Sequence, residues 1–277
     1  MPIISRITTQ QKNKERYNIF LQENRKEKFG FSVDETVLIA YHLHKGQELD
    51  EKTIDELMDK DSMQKAYNMV IHYLSYRMRT EKEIVDYLEK NEIPEMHIAP
   101  IMEKLIQNKL VDDHEFASAF VRTRMNTSDK GPGIIRKEML DKGISENETE
   151  EAIKQYSYEE QYHKAQKILK KKSNQSTRHS HRQKMERIQT HLLQKGFTME
   201  VIKDVVASNG PKKDEGEEWE ALVLEGEKQL RRLERKYEGL KLEHKVKEAL
   251  YRKRFAFPLI QSFLEEYVKT EADEFMD

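Results

Sequence analysis

The stretch MLDKGI at residues 139 to 144 returns as LLQKGF at 192 to 197. A glycine at that place can take the left-handed backbone conformation that ends a helix, after which the next residue folds back onto the last turn. Ile144 is therefore expected on Met139, and Phe197 on Leu192. The same five-residue apolar spacing appears without glycine between Leu88 and Ile93 in LEKNEI, and between Leu250 and Phe255 in LYRKRF. Nine residues before each closing residue stands a branched aliphatic: Ile84, Ile135, Ile188 or Val246. Nine after it stand Met102, Ile153, Val206 and Leu264, and eight after it Ile101, Ala152, Val205 and Phe263. The following helix thus also has an apolar face at helical spacing. The closing residues 93, 144, 197 and 255 lie 51, 53 and 58 positions apart. Self-similarity at such a period marks a tandem series of modules rather than one domain with one centre.

Composition agrees with small modules. Of 277 residues 36% are apolar and 36% charged, against about 25% charged in an ordinary globular domain. Mean hydropathy is −0.91, yet the apolar positions are periodic rather than merely scarce, which argues against bulk disorder. The net charge of −2 conceals segregation. Lys164 to Arg187 is a basic run containing Lys167, Lys170, Lys171, Lys172, Arg178, Arg182 and Lys184, whereas 214 to 227 and the tail from Glu271 are acidic. With no cysteine, a disulfide framework or thiolate metal site is excluded. No signal-peptide core and no run of about 18 apolar residues occurs, so a soluble cytoplasmic protein is expected.

The pattern predicts a mostly α fold: an elongated tandem array of three-helix repeats behind a small N-terminal α/β domain. Residues 1 to 62 read as a β-hairpin, formed by the alternation around Ile3 to Ile7 and by RYNIFL, followed by helices. Ser32 and Glu35 read as a capping box for a helix ending near Gly46, with a second short helix over 53 to 59. The repeats are expected at 63 to 112, 113 to 158, 159 to 210 and 211 to 277. Thr80 with Glu83, and Ser145 with Glu148, read as capping boxes. Pro94 opens a helix where its missing amide costs little, and GPG at 131 to 133 breaks one.

Each first helix ends in cations: Arg77 with Arg79, Arg122 with Arg124, Lys170, Lys171 and Lys172, and Arg231, Arg232 and Arg235 with Lys236. Arg178 and Arg182 extend the third cluster. One such cluster is ordinarily a solvated face; four at equivalent positions suggest a repeating basic edge suited to an elongated polymer. Phosphates or an acidic protein surface would both fit. Enzyme signatures are absent. HEFAS at 114 to 118 lacks the second histidine of a metalloprotease helix, and GPGIIRK lacks P-loop spacing. His42 with His44, and His179 with His181, are two apart and share no helix face, so no metal, cofactor or catalytic residue is expected.

LSYRMRTEKEIVDYLEKNEI, VDDHEFASAFVRTR and GPGIIRKEMLDKGI resemble the RecX family, the regulatory proteins of bacterial RecA recombinase. The likeness runs through all the helical modules, more loosely in the third and fourth. The N-terminal segment looks like the extension of longer members from low-GC Gram-positive bacteria. The resemblance implies a non-enzymatic protein that lies in the groove of the RecA filament on single-stranded DNA, where independent sites along the filament would need only a monomer. There it would inhibit RecA ATP hydrolysis, strand exchange and co-protease action, and so moderate recombination, DNA repair and the SOS response. Weak direct DNA binding is also implied. Arg77, Arg79, Arg122, Arg124, Arg136 and Lys137 match the family's basic pattern. Met78 stands where proline is usual, and Gly133 where a basic residue often follows Gly-Pro. An autonomous DNA-binding or architectural protein is the rival reading, and a pure helical scaffold the second.

Overall fold

The computed structural model describes residues 1–24, 26–174 and 179–268. The chain forms two units, Met1–Ala117 with Leu140–Glu148, and Ser118–Met139 with Thr149–Asp277.

The first unit opens on an antiparallel sheet of β1 (Ile3–Thr9), β2 (Arg16–Glu23) and β3 (Lys26–Asp34), in that order. The expected hairpin is β1 with β2; the third strand was not expected, although Phe29, Phe31 and Val33 alternate at the strand period of two. Ser32 lies within β3 opposite Asn18 and caps nothing. Asp34 is the cap instead, its carboxylate accepting the Thr36 N–H at 3.0 Å. The resulting α1 (Glu35–Ala40) is short and ends well before Gly46. The short helix expected over 53 to 59 is part of one 24-residue helix, α2 (Glu51–Leu74), which continues into the first repeat. No glycine or proline interrupts that stretch, so the backbone has no reason to stop. Arg16 holds the sheet to α2. Its guanidinium reaches both Asp61 oxygens, at 3.1 and 2.9 Å, and Ser32 Oγ at 3.1 Å. Such a bidentate pair fixes geometry as well as distance. Ile4, Ile19, Val33 and Leu57 fill the core beside it.

In the first repeat, α3 (Glu81–Lys90) and α4 (Glu95–Gln107) pack with α2 around Val70, Ile84, Leu88, Ile101 and Leu105. The Thr80–Glu83 capping box forms as expected. Helices α5 (Asp113–Thr127), α6 (Pro132–Asp141) and α7 (Glu146–Ile153) each pass from one unit into the other. The second unit continues with α8 (Tyr158–Ser173), α9 (His181–Gln194) and α10 (Met199–Asn209) around Leu169, Leu192 and Val205. It ends with α11 (Glu215–Leu233), α12 (Gly239–Arg252) and α13 (Phe257–Tyr267) around Leu222, Leu250 and Phe263. The chain is thus a helical series of three-helix domains behind a small α/β domain.

The helix closures follow the spacing read from sequence. Gly143 and Gly196 have φ of +88° and +84°, and in the copies lacking glycine Glu92 and Arg254 take φ of +58° and +67°. The N–H groups of Ile93, Phe197 and Phe255 donate to the carbonyls of Leu88, Leu192 and Leu250 at 3.2, 3.2 and 3.4 Å. These bonds satisfy carbonyls that a helix end leaves without partners.

The second helices also meet end to end, and each junction lies inside one unit. Thr80 Oγ1 donates to Lys142 O at 2.8 Å. The Gly131 and Gly133 N–H groups donate to Lys195 O and Gly196 O at 2.7 and 2.9 Å. Ser180 Oγ donates to Lys253 O at 2.7 Å. The start of one helix, with its partial positive charge, thereby sits on the partial negative end of the next. GPG is therefore a docking point as well as a breaker: a Cβ at Gly131 would lie 2.5 Å from the Gly196 and Phe197 backbone.

Candidate partner interface

A cation in the last turn of a helix faces the carbonyl end of the macrodipole, which favours it wherever it stands. Lys170, Lys171 and Lys172 occupy that position in α8, and Arg231 and Arg232 in α11. Arg122 and Arg124 lie near the end of α5, and Arg77 and Arg79 in the turn after α2. The recurrent position read from sequence is therefore real at the level of each helix, and the question becomes which charges are already engaged.

Several are. Arg77 reaches both Glu83 oxygens at 3.1 and 3.2 Å, and Lys142 binds Glu83 as well, at 2.5 Å. Burial alone would raise the Glu83 pKa, but the Arg77 and Lys142 bonds outweigh it and bring it down to about 2. Arg79 lies over Tyr73, its Cζ 3.9 Å from the ring centroid, and Tyr73 stacks on Tyr87 at 4.0 Å. Arg124 pairs with Glu138 at 2.9 Å and lies over Phe120. Arg136 pairs with Glu150, and Arg122 reaches Gln155 at 3.4 Å. Arg182 and Arg231 pair with acids one turn away on their own helices, Glu186 and Glu227. Such exposed i,i+4 pairs are weak and exchange readily for another partner.

The remaining cations form no ion pair among the described residues: Lys137 on α6, Lys170, Lys171 and Lys172 on α8, and Arg232 and Arg235 at the end of α11. Arg178 lies outside the described residues. Lys228, which cluster counting passes over, lines one cleft with Arg231, Arg232 and Arg235; its i,i+4 spacing from Arg232 was the available signal. Lys164, inside the basic run, is committed elsewhere. It donates to the carbonyls of Met125 and of Ser128, the latter at 2.9 Å, and so closes the end of α5. Gly133, where the family pattern has a basic residue, is exposed, and a Cβ there would come 3.2 Å from Gly196 O. Among the described residues no group of three or more His, Asp or Glu is placed to hold a metal ion. None of the described helices is long and apolar enough to cross a membrane.

Comparison with known families covers nearly the whole chain. Residues 2–50 match the domain described as "Regulatory protein RecX N-terminal domain", 66–105 the first RecX three-helix domain, and 112–153 the second. The third three-helix domain matches twice, over 159–206 and 216–264. A "Regulatory protein RecX" of Oceanobacillus iheyensis is 46% identical over 272 residues, 98% of this chain and 100% of the relative. The chain belongs to the RecX family. A RecX protein of Halalkalibacterium halodurans is 40% identical over 95% of this chain and 99% of its own length. Among solved structures, one titled "Crystal structure of regulatory protein RecX" aligns with a TM-score of 0.67 and 41% identity. It covers 74% of this chain and 100% of its own. RecX from Lactobacillus salivarius aligns at 0.52 with 38% identity, over 54% of this chain and 97% of its own. That one RecX domain description fits repeats three and four alike agrees with their second helices, α9 and α12, both having 14 residues.

Proposed function

We propose that this RecX protein binds the RecA filament on single-stranded DNA and lowers RecA ATP hydrolysis, strand exchange and co-protease activity, without turning over a substrate itself. The observation that carries the reading is the set of unpaired cations, Lys137 in the middle of α6 and Lys170, Lys171, Arg232 and Arg235 near helix ends, in a chain that matches RecX domains from residue 2 to 264. Cations without an internal acid keep their charge available for an acidic partner or for phosphates, and act mainly on encounter and register. Repeated three-helix units suit a target that is itself repetitive. A monomer in the cytoplasm suffices, since the second, third and fourth repeats each bear unpaired cations of their own.

The deciding experiment measures RecA ATP hydrolysis on single-stranded DNA with this protein at sub-stoichiometric levels, beside its affinity for bare DNA in the same buffer. Hydrolysis should fall where bare-DNA binding is negligible. If it falls only once the DNA is coated, the protein is an autonomous DNA binder, whose affinity would drop steeply with salt.

A further inference from the structure

Positive charge in the third repeat extends past Lys170 and Lys171, which the filament reading uses, onto Lys172 and the face of α9. Lys184, Arg187 and His191 follow one another along one face of α9, at three- and four-residue steps. With Lys172 from the last turn of α8, and His179, they line a cleft of about 560 Å³. Lys172 and Lys184 form no ion pair among the described residues, and Arg187 donates to the imidazole of His179, which compensates no charge. The one acid on the lining, Glu186, faces Arg182 and Arg254, each at 3.5 Å.

We propose that this cleft is a phosphate-binding site, for the phosphate group of a nucleic-acid backbone or of a free nucleotide. Its donors come from Lys172 on α8, from Lys184, Arg187 and His191 on α9, and from His179, rather than from one helix alone. A tetrahedral anion with several acceptor oxygens meets such a set better than a planar carboxylate does, and Arg187 supplies a planar fork for two of the oxygens. Burial holds the His191 pKa below its usual value, assisted by Lys172 and Lys195 and opposed only by Asp129. With Lys184, Arg187, His179 and Glu186, these are the charged and titratable groups around that imidazole. A bound phosphate reverses the local field, so His191 takes up a proton and becomes a further donor. Binding then strengthens as pH falls through the His191 pKa of the complex.

The test needs the full chain alone, without RecA, so its outcome is independent of the filament reading. The histidine imidazoles are followed by NMR at low ionic strength while inorganic phosphate is added. His191 should titrate at higher pH as phosphate saturates, while chloride at matched ionic strength leaves it in place. Lys172→Ala combined with Arg187→Ala should weaken phosphate binding at least tenfold, whereas Lys12→Ala, in the turn between β1 and β2, should not. Because removing Lys172 itself alters His191, the phosphate-dependent shift is read within each variant. A His191 titration indifferent to phosphate, or shifts shared equally by all ten histidines, would overturn the site, as would a double variant that binds like the parent. Competition by ADP or by a short oligothymidylate assigns the source to a nucleotide or to a nucleic-acid backbone; failure of both to compete removes the proposal for either.

Discussion

Glu92 and Arg254 hold a left-handed backbone at the same step of the repeat where Gly143 and Gly196 do. An L side chain there costs about 1–2 kcal/mol, so Glu92→Gly is expected to stabilise the protein by about 0.5–1 kcal/mol in urea unfolding, after allowing for the freer unfolded chain. Gly196→Ala should do the reverse, since its φ is +84° and its Cβ would lie 2.6 Å from Ile134 N. The apolar pairs that close each helix were legible in the sequence because they recur. The non-glycine closures were legible only as spacing, because nothing in a glutamate or an arginine announces positive φ. Asp113 offers a pH test. Burial, joined by the charges of Glu81, Glu148 and Asp112, raises its pKa to about 6, although it accepts the Glu81 N–H at 2.9 Å. The unfolded value is about 3.9, so between the two the folded chain holds the extra proton, and this group's contribution to stability falls as pH rises from about 4 to about 6 and levels off above. Asp113→Asn keeps an acceptor for the Glu81 N–H and removes the charge. It should stabilise the protein by on the order of 1–2 kcal/mol at pH 7.5, with the gain gone by pH 4, as measured by denaturant midpoints across pH.

At the scale of elements, what mattered most was which end meets which. Gly131→Ala should cost at least about 2 kcal/mol, because the added carbon meets backbone on Gly196 and Phe197 rather than a side chain able to move aside. Ser180→Ala removes both the bond to Lys253 O and the acceptor for the Gln183 N–H, an expected loss of about 1–2 kcal/mol in thermal or denaturant unfolding. Sequence showed that GPG interrupts a helix and that Thr80 caps one. It did not show what these starts rest against, because a backbone carbonyl is the same whichever residue bears it. A comparable gap hid β3: Ser32 with Glu35 imitates a capping box, and only the pairing of Ser32 with Asn18 shows that the strand claims it. The sequence pattern divides the continuous α2 into a short helix over 53 to 59 and a repeat beginning at 63, because the polar stretch around Asp59 and Asp61 breaks the run of apolar positions. Its Asp61 is in fact 2% exposed and bound to Arg16.

For the whole molecule, the separation of engaged from unengaged cations makes a prediction that sequence clusters alone do not. Glutamate at Lys137, Lys170, Lys171, Arg232 and Arg235 together should abolish inhibition of RecA ATP hydrolysis, with stability lowered only through the last-turn positions Lys170, Lys171 and Arg232, by about 0.3–1 kcal/mol each. Glutamate at Arg77 or Arg124, facing Glu83 or Glu138, should lower stability as well, which circular dichroism melting separates from loss of binding. The pattern of cations was thus half readable: residue type and position along each helix were visible, whereas the acids that occupy Arg77, Arg124 and Arg136 became apparent only in three dimensions. The end-to-end joints carry a last consequence, for how such a chain can lengthen. Every joint takes a hydroxyl or amide proton from the earlier repeat and a carbonyl from the later one, so the series has a sense, like a sentence read one way. In the final repeat Glu238 stands where Ser180 stands in the one before, each just ahead of a 14-residue helix. A carboxylate has no proton to offer, so a fifth repeat copied onto this end would lack the hydroxyl joint that Thr80 and Ser180 make until Glu238 gave way to serine or threonine.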